Sequence, residues 1–177
     1  MKKIIFIFCT LFFCSSAYAI TWHSHDSFQI DNLSLTRPDN TWRAAEFPDN
    51  NHQLVSLYRL RHGKDPQINI YKKRPFSTRL KNGHKLKNKW WLTRFKKSFT
   101  KNYIEEGFRF YEFEVNENTI SAKASDADDN LLLLHIEFNR PFYSSPYYLL
   151  EMKLPRKEYT RYGSGFEKLT KRIQLKN

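Results

Sequence analysis

His135 and Glu137 stand two residues apart in the run Leu131-Leu-Leu-Leu-His-Ile-Glu-Phe138. Residues two apart share one face of an extended strand. An imidazole and a carboxylate side by side are able to do acid–base work. The same pair also suits the half-exposed polar end of a strand, and that is how it is read here. Ser121, Ser125, Ser144 and Ser145 carry no nucleophile signature, and the sequence has no Gly-x-Ser-x-Gly, no His-Glu-x-x-His and no glycine-rich phosphate loop. Asp126, Asp128, Asp129 and Asn130 lack the glycine and the closing glutamate of an EF-hand and read as a solvated acidic turn. His23 and His25, with Asp26 and a new amino terminus at Ile20, are the metal candidates, of a kind suited to Cu(II) or Ni(II). The simpler reading, a polar tail, is preferred. No cofactor is expected, and a non-enzymatic protein is expected, with His135 and Glu137 as its only catalytic candidates.

Charge is the stronger signal. The formal net charge is +12. From Arg59 to Lys101 there are fifteen Lys or Arg against a single acid, Asp65, and an acidic stretch follows from Glu105 to Glu137. Lys72, Lys73, Arg74, Lys85, Lys87, Lys89, Lys96, Lys97 and Lys101 are the candidate residues for binding an anionic partner. Clustered cations raise the local concentration of anions and bind phosphates by releasing counterions. Trp90-Trp91 within this segment suits a membrane interface. Aromatics among the cations could also stack bases, but no nucleic-acid motif is present and nucleic acid is not the expected partner.

The compartment follows from the first residues. Lys2 and Lys3, the apolar run Ile4–Phe13 and Ala17-Tyr-Ala19 have the layout of a cleaved signal peptide. The apolar run is short for a membrane span. Cleavage would start the mature chain at Ile20, in the periplasm or outside the cell, with no transmembrane segment left. Cys9 and Cys14 both lie in the leader. The mature chain then has no disulfide, no thiol nucleophile and no thiolate metal site. Its net charge, 28 basic against 18 acidic residues without Lys2 and Lys3, is +10.

The elements that position these groups follow from periodicity. Residues 20–27 read as an exposed tail. Phe28 and Ile30, then Leu33 and Leu35, alternate around Asp31-Asn32, and Trp42 reads as a core plug. Leu54–Leu60 and Ile68–Lys72 read as a hairpin around His62–Pro66. Pro75–Asn88 is a basic connection. Asn88 caps a helix to Tyr103, with Trp91, Leu92, Phe95, Phe99 and Tyr103 on one face. A meander follows: Phe108–Val115, with a bulge expected at Tyr111-Glu112, then Thr119–Ala124, the central Leu131–Phe138, and Tyr147–Leu154. Phe166, Leu169 and Ile173 mark a closing helix. Even positions of the central strand are apolar throughout and odd positions at one end, so layers are expected on both of its faces.

This order predicts a single α+β domain over residues 28–177, an antiparallel sheet flanked by helices in an α/β/α-type sandwich. The entrance Leu33-Ser-Leu-Thr-Arg-Pro38-Asp-Asn-Thr-Trp42 resembles that of Mog1/PsbP-like domains. The resemblance rests on Pro38, Trp42 and the element order. It implies that fold and an accessory or interaction role without a shared catalytic site, and it transfers no functional residue. The expectation is therefore an exported binding module of the cell envelope that meets lipid headgroups or an acidic protein. Two alternatives stand beside it. One is a secreted enzyme or toxin of hydrolase or nuclease type. The other is a ligand carrier with a pocket between sheet and helix lined by Phe110, Phe138 and Tyr148.

Overall fold

The run Asn130–Phe138 (β9) is an interior strand, buried along almost its whole length. Period two gives it two apolar faces, and both are covered. The computed structural model describes residues 21–176 except 24, 48–52, 60–65 and 77–84. The expected leader segment, most of the His62–Pro66 turn and much of the Pro75–Asn88 connection lie outside the described residues.

β9 pairs antiparallel with Tyr147–Pro155 (β10) on one side and Thr119–Ser125 (β8) on the other. The sheet continues through β8 to Arg109–Val115 (β7), and through β10 to Ile68–Lys73 (β6), Gln53–Arg59 (β5), Trp42–Glu46 (β4) and Thr21–His23 (β1). This eight-stranded antiparallel sheet has β1 and β7 at its edges. A second, three-stranded sheet joins Ser27–Ile30 (β2), Leu33–Thr36 (β3) and Gln174–Leu175 (β11).

Two cores lie on the two faces. Leu132, Leu134, Ile136 and Phe138 meet the helix Lys89–Glu105 (α1) through Phe95. Leu131 and Leu133 meet the small sheet and the helix Ser164–Arg172 (α2) through Leu33, Leu35, Phe166 and Leu169. The α+β class and the two-sided covering of the central strand are as expected. One outer layer differs: it is a mixed layer of the small sheet and α2.

α1 starts where the Asn88 side chain accepts from the Trp91 amide. It ends at Gly107, whose φ of 96° lets its amide reach the Ile104 carbonyl while Phe108 N–H reaches Tyr103 O. That paired closure satisfies the last carbonyls and favours glycine at its left-handed position.

Three expectations are corrected. The stretch expected as an exposed tail is mostly exposed but not free: Thr21–His23 pairs with β4 in the register Thr21↔Glu46 to His23↔Ala44, and Ser27 opens β2. The cause is aromatic. Trp22 sits edge-on to Tyr58 and His23 stacks on Phe28 at 4.6 Å. His135 and Glu137 are buried rather than half-exposed, each at 7%, because α2 and the small sheet cover that face. The carrier pocket does not form as proposed, since Phe138 belongs to the α1 core and Tyr148 to the opposite one.

Candidate functional site

The outward stripe of α1 is set by helical geometry. Trp90, Arg94, Lys97 and Lys101 follow at spacings of four, three and four, which places them in one row. All four are exposed, and Trp90 is 57% exposed. The Arg94 guanidinium lies 4.6 Å from the Trp90 ring centroid, a cation–π contact that holds both at the surface. The opposite side of α1 is anchored: Phe95 stacks on Phe99 and contacts Phe138 and Tyr143.

The chain before α1 is drawn to the same end. Phe76 packs edge-on to Phe95 and Tyr143. Buried Leu86 donates its amide to Pro141 O and accepts from the Tyr143 hydroxyl at 2.7 Å. Phe76, two residues after Arg74, and Leu86, between Lys85 and Lys87, thus both contact Tyr143. Lys73 lies 4.9 Å over the Tyr71 ring.

Other candidates are placed differently. Lys72 is turned away by the period-two alternation of β6, which puts it with Ile68 and Ile70 on the small-sheet face. There its ammonium pairs with Asp31 at 2.6 Å. Lys96 lies 4.1 Å over the Phe113 ring, toward β7 rather than in the outward row. Lys101 faces Glu105 at 3.8 Å within the helix.

His135 and Glu137 are brought together with Ser121, which carries no nucleophile signature in the sequence, and with Asn118, which sequence reasoning left out. Ser121, opposite His135 in the β8–β9 register, is 3.0 Å from His135 Nδ1. His135 Nε2 is 3.3 Å from Glu137 Oε2, and Asn118 donates to Glu137 Oε1 at 2.8 Å. Placing the proton on Nε2 satisfies every atom of this chain. A serine hydroxyl on an imidazole backed by a carboxylate is the arrangement for removing the serine proton. Acyl transfer also needs donors at the developing oxyanion, and the β8 backbone is engaged in ladders with β7 and β9 on either side. The hydrogen bonds join Ser121, His135, Glu137 and Asn118 in one chain. It opens on a small cleft of about 140 Å³ beneath α2, bordered by Glu112, Glu114 and Glu167. Only the cross-strand register reveals Ser121.

His23 is committed elsewhere, with Nε2 2.8 Å from Glu46 Oε2, and His25 is exposed. Among the described residues no three His, Cys, Asp or Glu side chains are grouped to hold a metal ion. Nor is any helix there long and apolar enough to cross a membrane.

Asp31 closes the β2–β3 turn with φ 54° and ties that hairpin to the large sheet. Burial acts to raise its pKa, but hydrogen bonds from Lys72 and Tyr148 and the Lys72 charge outweigh it, so the carboxyl is held below its usual value. Burial and the bond to Asp31 push the Tyr148 hydroxyl well above the ordinary tyrosine range.

No family model matches the sequence, and no curated protein is detectably similar to it. The fold does have solved counterparts. The solution structure of cyanobacterial PsbP (CyanoP) from Synechocystis sp. PCC 6803 superposes with a TM-score of 0.50, over 89% of this chain and 93% of that one, at 12% identity. The chain thus has a PsbP-like fold, as the Pro38–Trp42 entrance and the element order suggested.

Proposed function

We propose that this protein is an exported, non-enzymatic accessory module, periplasmic or secreted, that docks on an anionic partner through α1 and the lysines before it. The observation that carries this reading is the row Trp90, Arg94, Lys97 and Lys101, exposed on a helix whose other side is buried. Cations in a row beside an exposed indole match a lipid interface, where the charges meet headgroups and the ring sits among them. An acidic protein surface would engage the same cations without needing the indole. A second feature supports the reading. The first turn of α1 carries Lys89 and no acid, although a helix N-terminus favours negative charge. An anion arriving from outside would supply it.

Co-sedimentation of residues 20–177 with vesicles tests this directly. Binding to vesicles containing phosphatidylglycerol, with none to pure phosphatidylcholine, is the expected result, and it should fall steeply as salt rises. Lys97→Ala should weaken it about fivefold, as about 1 kcal/mol per surface cation implies. Trp90→Ala should weaken lipid binding while leaving the thermal midpoint unchanged. Salt-insensitive binding, or equal binding to both vesicle types, would overturn the electrostatic reading. Binding to neither vesicle, with retention on an acidic protein matrix lost in Lys97→Glu, would move the partner from lipid to protein.

A further inference from the structure

The edge strand β7 does not lie flat against α1. Phe110 pairs with Ala124 and Glu112 with Lys123, so Tyr111 is an extra residue with no partner across the ladder. Without it Phe110 and Phe113, three apart, would point to opposite faces. The bulge turns both toward α1, where they pack with Val115 against that core. Bulges of this kind re-aim side chains at sheet edges. Here the result is a groove of about 460 Å³ between α1 and β7. Phe108, Phe110 and Phe113 form its floor, and Ile104 stands on its wall. Ile104 and Tyr111 are each 57% exposed, among the few large apolar side chains left in solvent.

Three charged residues line the groove: Lys96, Arg109 and Glu112. The Glu112 carboxylate is neutralised by Lys123 at 3.1 Å, whereas among the described residues no carboxylate lies within ion-pair distance of Lys96 or Arg109, so the cations are left unbalanced. β7 is also the last strand of the sheet, so the backbone on its outer side pairs with no strand among the described residues. An apolar floor, cations at the rim and an open strand edge are complementary to an extended chain that carries acids and an apolar anchor.

We propose that the groove between α1 and β7 is a docking site for an extended, acidic segment of a partner protein, which inserts an apolar side chain over Phe110 and Phe113. This site is separate from the outward row of α1. Ile104 and Arg109 take no part in that row, so the two readings fail independently.

Selection from a library of random linear ten-residue peptides against the intact mature protein tests the proposal. The selected peptides should carry aspartate or glutamate around an aliphatic or aromatic residue. Their affinity should fall about tenfold on Ile104→Asp and about tenfold on Arg109→Glu, and should decline with salt. Both positions are exposed, so neither variant should lower the thermal midpoint. Vesicle binding should be unaltered by Ile104→Asp. Peptides without acids, affinities indifferent to both substitutions, or no selected peptide at all would overturn the proposal. So would a concentration-dependent dimer in sedimentation that Ile104→Asp abolishes, since the occupant would then be a second copy of the chain.

Discussion

Gly165 lies at a close approach in the small-sheet core. A Cβ there would sit 2.6 Å from Cζ2 of Trp42, which is itself 1% exposed. A fully buried indole in close-packed surroundings has little room to retreat. Gly165→Ala should therefore destabilise the fold by about 1–3 kcal/mol, as overpacking does, and urea unfolding should show a lower midpoint at an unchanged slope. An unchanged midpoint would mean the ring yields. His135 is the second residue where a single change is decisive. His135→Ala removes the partner of Ser121 and leaves Glu137 only its bond from Asn118, at a cost of about 1–3 kcal/mol. Ser121→Ala removes only the outer link and should cost less. If both variants melted like the parent, this chain of hydrogen bonds would contribute no stability, and a hydrolase screen of the parent against His135→Ala would become the informative measurement. These two residues also mark what a sequence can convey. Trp42 was legible as a core plug because a large apolar side chain after Pro38 has few other uses. Gly165 was not, since its constraint comes from a residue more than a hundred positions away. His135 and Glu137 were visible as neighbours by strand period, but Ser121 and Asn118 joined them only through the pairing register.

At the scale of elements, the tie between the β2–β3 hairpin and the large sheet passes through Asp31, Lys72 and Tyr148. Asp31 has a folded pKa below its unfolded value. Its contribution is complete above the unfolded value, about 3.9, and is lost as pH falls through the folded one. Asp31→Asn should thus be less stable than the parent at pH 7, and the gap should close on acidification below pH 4. Parallel urea titrations at pH 7 and pH 3 read this. A gap undiminished at pH 3 would place the cost in contacts that do not depend on the carboxylate's charge. The helices and the meander could be read in the sequence. α1 announced itself through Asn88, the Trp91–Tyr103 stripe and Gly107, and the bulge at Tyr111 through the break in alternation between Phe110 and Phe113. The small sheet was legible in part: the alternation of Phe28 and Ile30, then Leu33 and Leu35, about Asp31-Asn32 is the β2–β3 hairpin, but β11 is two residues long, too short for a period-two pattern, and pairs with β3 across nearly the whole chain. β1 was hidden for the same reason, with three residues whose partner is set by Trp22 and His23 contacts.

The whole molecule buries tyrosine in both of its cores, and that gives it an alkaline limit. Tyr147 is pushed up to about 12 by burial. Burial drives Tyr143 well above the ordinary range as well. Tyr103 is raised by burial and further by the Glu151 carboxylate that accepts its hydrogen bond at 2.6 Å. Tyr148, on the opposite face, is raised by burial and by Asp31. Each group has a folded pKa above its unfolded value of about 10. The stability they contribute is complete below pH 10 and is lost as pH rises through the folded values. Several phenols on both faces of one sheet cannot ionise separately, because every one is packed against β-strands that share the ladder. Unfolding, rather than stepwise titration, is the route by which they reach solvent. The expected outcome is a cooperative loss of far-ultraviolet circular dichroism above pH 10, coincident with a jump in phenolate absorbance at about 295 nm. The coincidence is what the argument requires. Phenolate absorbance that rose to its full value around pH 10 while the dichroism held would mean that these hydroxyls reach water in the folded state, and that the two cores are less closed than their packing implies.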